Sequence, residues 1–265
     1  MNPIVEFVDK ISYDTAQIIM TLGEGDLGGR QPDKSPVVGE PKSYEIGSSE
    51  IEINGRSPLR LVAYAGDITR LPFPVNGVVV PNGYPPQRFK KSEVESAVFT
   101  ASGGDGAIDE ARAYYAARKK DPGFRGAYPG EVVIADAGRL AERETGRVDH
   151  LLISAASFPS FAGDEWEMPD HHIPAIVSRA LIKASKEGYG SLAFPLIGHG
   201  VGRKPLDRVL GLSRRGVNTF ASYAGMPESE VPPHINLVYF VAYEPKVDDS
   251  VRQAMREILL EQPAA

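Results

Sequence analysis

From Tyr44 onward, short apolar runs alternate with helix-length segments, and this alternation constrains the fold more than any other feature of the chain. The strand-like runs are Tyr44 to Ile53, LRLVAYA at 59–65, NGVVVP at 76–81, Glu131 to Ala135, HLLISA at 150–155, SLAFPL at 191–196 and INLVYFVAY at 235–243. The last reads as the longest strand. Gly106 to Lys119, Ile173 to Glu187, Val209 to Tyr223 and Val247 to Leu260 carry helical spacing. An unbroken run such as VVV suits a strand covered on both faces. The expected fold is therefore α/β, a three-layer sandwich with a mixed, largely parallel central sheet. Ligands on such sheets bind beyond the carboxyl ends of the strands.

A chain of 265 residues buries enough surface to fold without a disulfide or metal staple, and it contains no cysteine. Thiolate metal sites and cysteine nucleophiles are thereby excluded. The net charge of −6 argues against a broad grip on nucleic acid. No apolar run reaches the roughly 20 residues of a membrane span. Met1 to Leu22 carries Glu6, Asp9, Lys10 and Asp14, unlike a signal peptide, and its apolar residues recur at helical spacing. The expectation is an amphipathic helix over 1–22, a partner-binding arm or a packed element, in a cytoplasmic protein. Gly23 to Lys42 is rich in Gly, Pro and Ser, so 23–43 reads as a linker or long loop before one domain over 44–265.

The chain holds 27 glycines and 22 prolines, and several of the glycines cluster in turns beside strands and helices. Gly66-Asp67-Ile68-Thr69 follows one strand. Ser102-Gly103-Gly104-Asp105-Gly106 precedes a helix. Gly198-His199-Gly200-Val201-Gly202 follows another strand. Glycine turns let a backbone approach a ligand closely, and a helix N-terminus attracts a phosphate. An acidic side chain after a strand accepts from an adenine amino group or a sugar hydroxyl. Nucleotide diphosphate binding and purely structural turns both fit this pattern. Neither GxxxxGK[ST] nor a strand–GxGxxG–helix unit is present, which disfavours P-loop and standard dinucleotide folds.

In order along the chain, GDITRL at 66–71, VVVPN at 78–82, SGGDGAIDEA at 102–111, GEVVIADAGRL at 130–140 and AFPLIGHGVGRKP at 193–205 resemble the macrodomain family, the ADP-ribose-binding α/β/α module. The resemblance runs from about Leu59 to the C-terminal helix. It implies a macrodomain-like sandwich that binds ADP-ribose or a related nucleotide. Asp67 would accept from the adenine amino group, with the Ile68 backbone beside it. Asn82 would contact the distal ribose. Gly103, Gly104 and Gly106 would form the first phosphate loop, and Gly198, His199, Gly200 and Val201 the second. Asp105 would position or activate water in a hydrolytic member, with Asn82 as the other catalytic candidate. No cofactor or metal is called for.

Two departures matter. Hydrolytic members carry a further asparagine where this chain has Val79, and an aromatic residue stands where this chain has Gly202. Tyr84, Phe158 or Phe161 are candidates to replace that aromatic. The stretch 83–101 reads as an insertion, a candidate lid. Hydrolysis of an ADP-ribosyl linkage in an ADP-ribosylated substrate and non-catalytic reading of an ADP-ribose signal both remain open. His171-His172, with Asp164, Glu165 and Asp170, reads as a solvated acidic loop before a helix, since the spacing fits no zinc signature. Trp166 either packs or covers a pocket. Arg203-Lys204 and Arg214-Arg215 either offset phosphate charge or are simply solvated.

Overall fold

The computed structural model describes residues 43–84, 86, 92–124, 126–159, 166–200, 203–227 and 229–261. The expected arm at 1–22, most of the linker, and Phe161, Asp164, Glu165, Val201 and Gly202 lie outside the described residues. Among the described residues are eight strands: β1 (Tyr44–Ile51), β2 (Leu59–Ala65), β3 (Val75–Gly83), β4 (Val132–Asp136), β5 (Val148–Pro159), β6 (Trp166–Glu167), β7 (Ser191–Pro195) and β8 (Leu237–Ala242). Five helices accompany them: α1 (Glu93–Ser102), α2 (Gly106–Arg118), α3 (His172–Lys186), α4 (Leu206–Ala224) and α5 (Asp249–Ala254), which runs on into a π turn at Met255–Leu260.

The main sheet has the order β1-β2-β8-β7-β3-β5-β4, with β6 paired to the far end of β5. The contacts β2/β8, β8/β7, β7/β3 and β3/β5 are parallel. The outer contacts β1/β2 and β4/β5 are antiparallel, as is the short β5/β6 pair. The five interior strands therefore all end on one edge.

Burial on both faces follows from the period of two along each strand. Val79, Leu152, Phe194 and Phe240 face one core, where α3, α4 and the C-terminal turns supply Ile176, Leu210, Phe220 and Leu259. Val78, Val80, Leu151, Ile153 and Val241 face the other, where α1 and α2 supply Val98, Phe99, Ile108 and Ala111. The result is the expected three-layer α/β/α sandwich. Gly77 lies at a close approach within it: a Cβ there would stand 2.4 Å from Leu152 Cδ1.

Three expectations change. The longest strand is β5, not 235–243, because Ser157–Pro159 extend it beyond Ala155 and Phe158 and Pro159 pair with β6. The closing segment is not one α-helix but α5 and a π turn. The stretch read as an insertion contains α1, which opens with a reciprocal capping box: Glu95 N donates to Ser92 Oγ (3.1 Å), and Ser92 N donates to Glu95 Oε2 (3.0 Å). Among the described residues no helix is long and apolar enough to cross a membrane.

Candidate functional site

The register of the parallel strands fixes what meets at their carboxyl edge. Ala65 pairs with Ala242, Val241 with Pro195, and Asn82 with Ala155. Asp67, Asn82 and Gly198 all lie at or just beyond these positions, so one edge gathers them.

Asp67 sits two residues past β2. Its Oδ1 accepts from Thr69 N (2.8 Å) and Thr69 Oγ1 (2.7 Å), a side-chain-closed turn. Oδ2 takes no hydrogen bond among the described residues and leaves an acceptor directed by a fixed carboxylate. Ile68 is 7% exposed, with its side chain in the core, so any ligand contact would use its backbone.

Asn82 is 4% exposed, and its Nδ2 donates to Glu95 Oε1 at 3.1 Å. Glu95 is itself buried, at 6%. Its other oxygen accepts from both the backbone and the hydroxyl of Ser92, at 3.0 Å each. Sequence reasoning missed Glu95. The signal was present as Ser-x-x-Glu at 92–95, the spacing of a capping box.

The turn after β7 is closed on itself. Lys204 N donates to Gly198 O (3.0 Å), and Arg203 N donates to Gly200 O (3.0 Å). Gly198 has φ +95°, a backbone conformation that favours glycine, and a Cβ there would stand 2.8 Å from the mobile end of the Met168 side chain. Gly200 differs. No positive φ requires glycine, and a Cβ would meet nothing within 4 Å among the described residues. His199 N turns back to Leu196 O (3.3 Å), and its ring Nδ1 faces Lys204 O at 3.1 Å. A carbonyl only accepts, so Nδ1 carries the proton.

Lys204 Nζ and Arg208 Nε hold Asp170 at 2.6 and 2.8 Å. The hydrogen bonds from Lys204 and then Arg208 lower the pKa of its carboxyl. Lys204 thus braces the turn by backbone and by side chain. Nearby, His172 is buried, with Nδ1 at 2.9 Å from Ala156 O. Desolvation lowers its pKa and keeps the ring neutral. His172 packs edge-on to Phe158, which tilts against Tyr84, so both described aromatic candidates line this end of β3 and β5. Among the described residues no group of three or more metal-ligating side chains occurs. Arg214 is not a phosphate partner: it is 6% exposed and donates from Nη1 to Leu259 O at 2.8 Å.

The largest correction concerns Gly103, Gly104, Asp105 and Gly106. A Cβ on Gly138 would stand 2.2 Å from Ser102 O, and one on Gly103 would stand 3.4 Å from Arg139. Gly138 and Arg139 follow Asp136, which pairs with His150; His150 pairs with Gly77. Gly77 is five residues before Asn82, roughly 16 Å lower at 3.3 Å per residue. The Gly103–Gly106 turn therefore lies on the amino edge, opposite Asn82. The cause is α1: it starts at the carboxyl edge beside Asn82 and descends, and α2 climbs back to Glu131, where Arg118 pairs. Nor are the N–H groups of Gly103 and Gly104 directed at a ligand. They donate to Thr100 O (3.2 Å) and Phe99 O (2.8 Å), closing α1 with a Schellman motif at φ +104° and +127°. Asp105 caps the start of α2 without a side-chain cap bond. Asp105 and these glycines thus stand away from the carboxyl-edge group, and Val79, on the strand between, is wholly buried in the core.

No family model and no curated protein sequence matches the chain. Solved structures do. A macrodomain from Oceanobacillus iheyensis with MES bound is 17% identical over 82% of this chain and 96% of its own, with a TM-score of 0.56. The same macrodomain with ADP is 19% identical over 80% and 95%, at 0.54. A Trypanosoma brucei macrodomain in complex with ADP is 14% identical over 75% and 68%, at 0.50. The chain has the macrodomain fold.

Proposed function

Starting from that fold, we propose that the chain binds ADP-ribose at the carboxyl edge of its parallel strands. What carries this reading is the gathering of Asp67, Asn82 and the open-sided Gly200 turn on one edge. Asp67 offers the adenine amino group a carboxylate oxygen. Gly200 leaves room for a diphosphate to approach the backbone closely. Asn82 addresses the distal ribose, with Tyr84 and Phe158 as the apolar wall beyond it. The Oceanobacillus and Trypanosoma macrodomains with ADP lend support, since their fold is shared and ADP is part of ADP-ribose.

Between reading and hydrolysing the signal, the geometry favours reading. Val79 brings no polar group to the site, Asp105 stands on the far edge, and both oxygens of Glu95 are already engaged by Asn82 and Ser92. A carboxylate so engaged orients its donors rather than activating water. Incubation with an ADP-ribosylated protein tests this. A reader leaves the modification in place while binding free ADP-ribose. Release of ADP-ribose above the uncatalysed rate would instead make the chain a hydrolase. Absence of binding to ADP-ribose would overturn both versions.

A further inference from the structure

We infer that Glu95 is a positioning residue: through the capping box of α1 it fixes the orientation of the Asn82 amide and so sets selectivity for a ligand that carries a distal ribose over one that ends at the diphosphate. This inference rests on the ADP-ribose reading of the site and goes beyond it.

An amide on a strand end has two faces of opposite polarity, NH2 and C=O, and flipping it exchanges donor for acceptor at nearly no steric cost. A site that recognises sugar hydroxyls must remove that ambiguity. Here it is removed. Glu95 is acceptor-only when ionised, and Oε1 stands 3.1 Å from Asn82 Nδ2, so the amide is held with its NH2 toward α1 and its carbonyl turned away. The carboxylate is held in turn. Oε2 accepts from Ser92 N and from Ser92 Oγ, while that hydroxyl accepts from Glu95 N. Both Asn82 and Glu95 are at least nine-tenths buried, so water competes little for these bonds. One N-terminal cap therefore does two things: it starts the helix that backs the sheet, and it sets the polarity of the side chain at the end of β3.

Polarity reversal is the test. Glu95→Gln keeps length and shape, and glutamine satisfies a capping box as glutamate does. Its carbonyl then serves Ser92, and its NH2 meets the NH2 of Asn82, donor against donor. Asn82→Asp makes the opposite error, acceptor against acceptor, at a pH where both carboxyls are ionised. Combined, the two changes restore one donor and one acceptor. ADP-ribose and ADP are the probes, because ADP lacks the distal ribose.

The expected result is that Glu95→Gln and Asn82→Asp each weaken ADP-ribose about tenfold, the scale of one charge-assisted hydrogen bond. Glu95→Gln should leave ADP affinity within about twofold, and N82D/E95Q should recover most of the ADP-ribose affinity. Melting curves alongside confirm that each variant is folded. Equal loss for both nucleotides in Glu95→Gln, no loss for either, or a double variant as weak as the two losses combined would each overturn the positioning role while leaving nucleotide binding intact. If the unaltered protein binds neither nucleotide, the functional reading fails and this inference fails with it.

Discussion

Gly200 and Gly106 form a matched pair that separates the two edges of the sheet. At both positions a Cβ would meet nothing within 4 Å among the described residues, and neither has positive φ. Replacing each with alanine therefore introduces a methyl group without internal strain. Its main effect on folding is to reduce the freedom of the unfolded chain, worth about 0.4–1 kcal/mol in favour of the folded state. For a domain of this size, that is a rise in Tm of about 1–4 °C. The effects on ligand should diverge. At Gly200 the methyl enters the space proposed for the diphosphate beside the turn after β7, and a displaced charge-assisted contact costs about 1.5–3 kcal/mol, roughly tenfold or more in affinity. At Gly106 the methyl stands on the amino edge, and ADP-ribose affinity should stay within about twofold. The assay is a melting curve and an ADP-ribose titration on both variants. Stabilisation with weakened binding at Gly200, and without it at Gly106, is the expected pattern. If Gly106→Ala weakened ADP-ribose as much as Gly200→Ala, the turn between α1 and α2 would belong to the site, and the placement of the two edges would be refuted.

Asp67→Asn keeps Oδ1 for the Thr69 turn and turns Oδ2 into a donor. ADP-ribose affinity should fall about tenfold while Tm moves by no more than about 2 °C, which parallel titrations and melts would check. His172 is held neutral in the fold by burial, so its folded pKa lies below the unfolded value. Its contribution to stability is intact above about pH 6.5 and is lost as pH falls toward the folded pKa. Charge on His171 and Lys204 acts in the same direction. His172→Asn retains a donor for Ala156 O but cannot be protonated. Between pH 7.5 and 5.5 the variant should therefore lose less Tm than the unaltered protein, and equal losses would remove His172 from this role.

Much of the fold is legible in the sequence because burial leaves a period. LRLVAYA and SLAFPL alternate between two cores, and the structure places β2 and β7 within them. Asp67 and the Gly198 turn are legible too, since each follows directly on a strand whose direction is fixed. The first glycine turn is not. SGGDG before a helix looks the same whether it receives a phosphate or ends the preceding helix. Gly103 and Gly104 need their positive φ for that second purpose. The edge on which such a turn emerges depends on how many helices stand between it and β3. One unrecognised ten-residue helix, α1, moves it to the opposite edge. The same omission hid Glu95, whose burial comes from α1 lying against β3. Its Ser-x-x-Glu spacing was the single local sign of it.

The most direct measurement is a calorimetric titration of the unaltered protein with ADP-ribose. The account predicts saturable heat at one site, with ADP as a competitor. No heat at millimolar ADP-ribose would contradict it, leaving a macrodomain fold without the ligand proposed for its carboxyl edge.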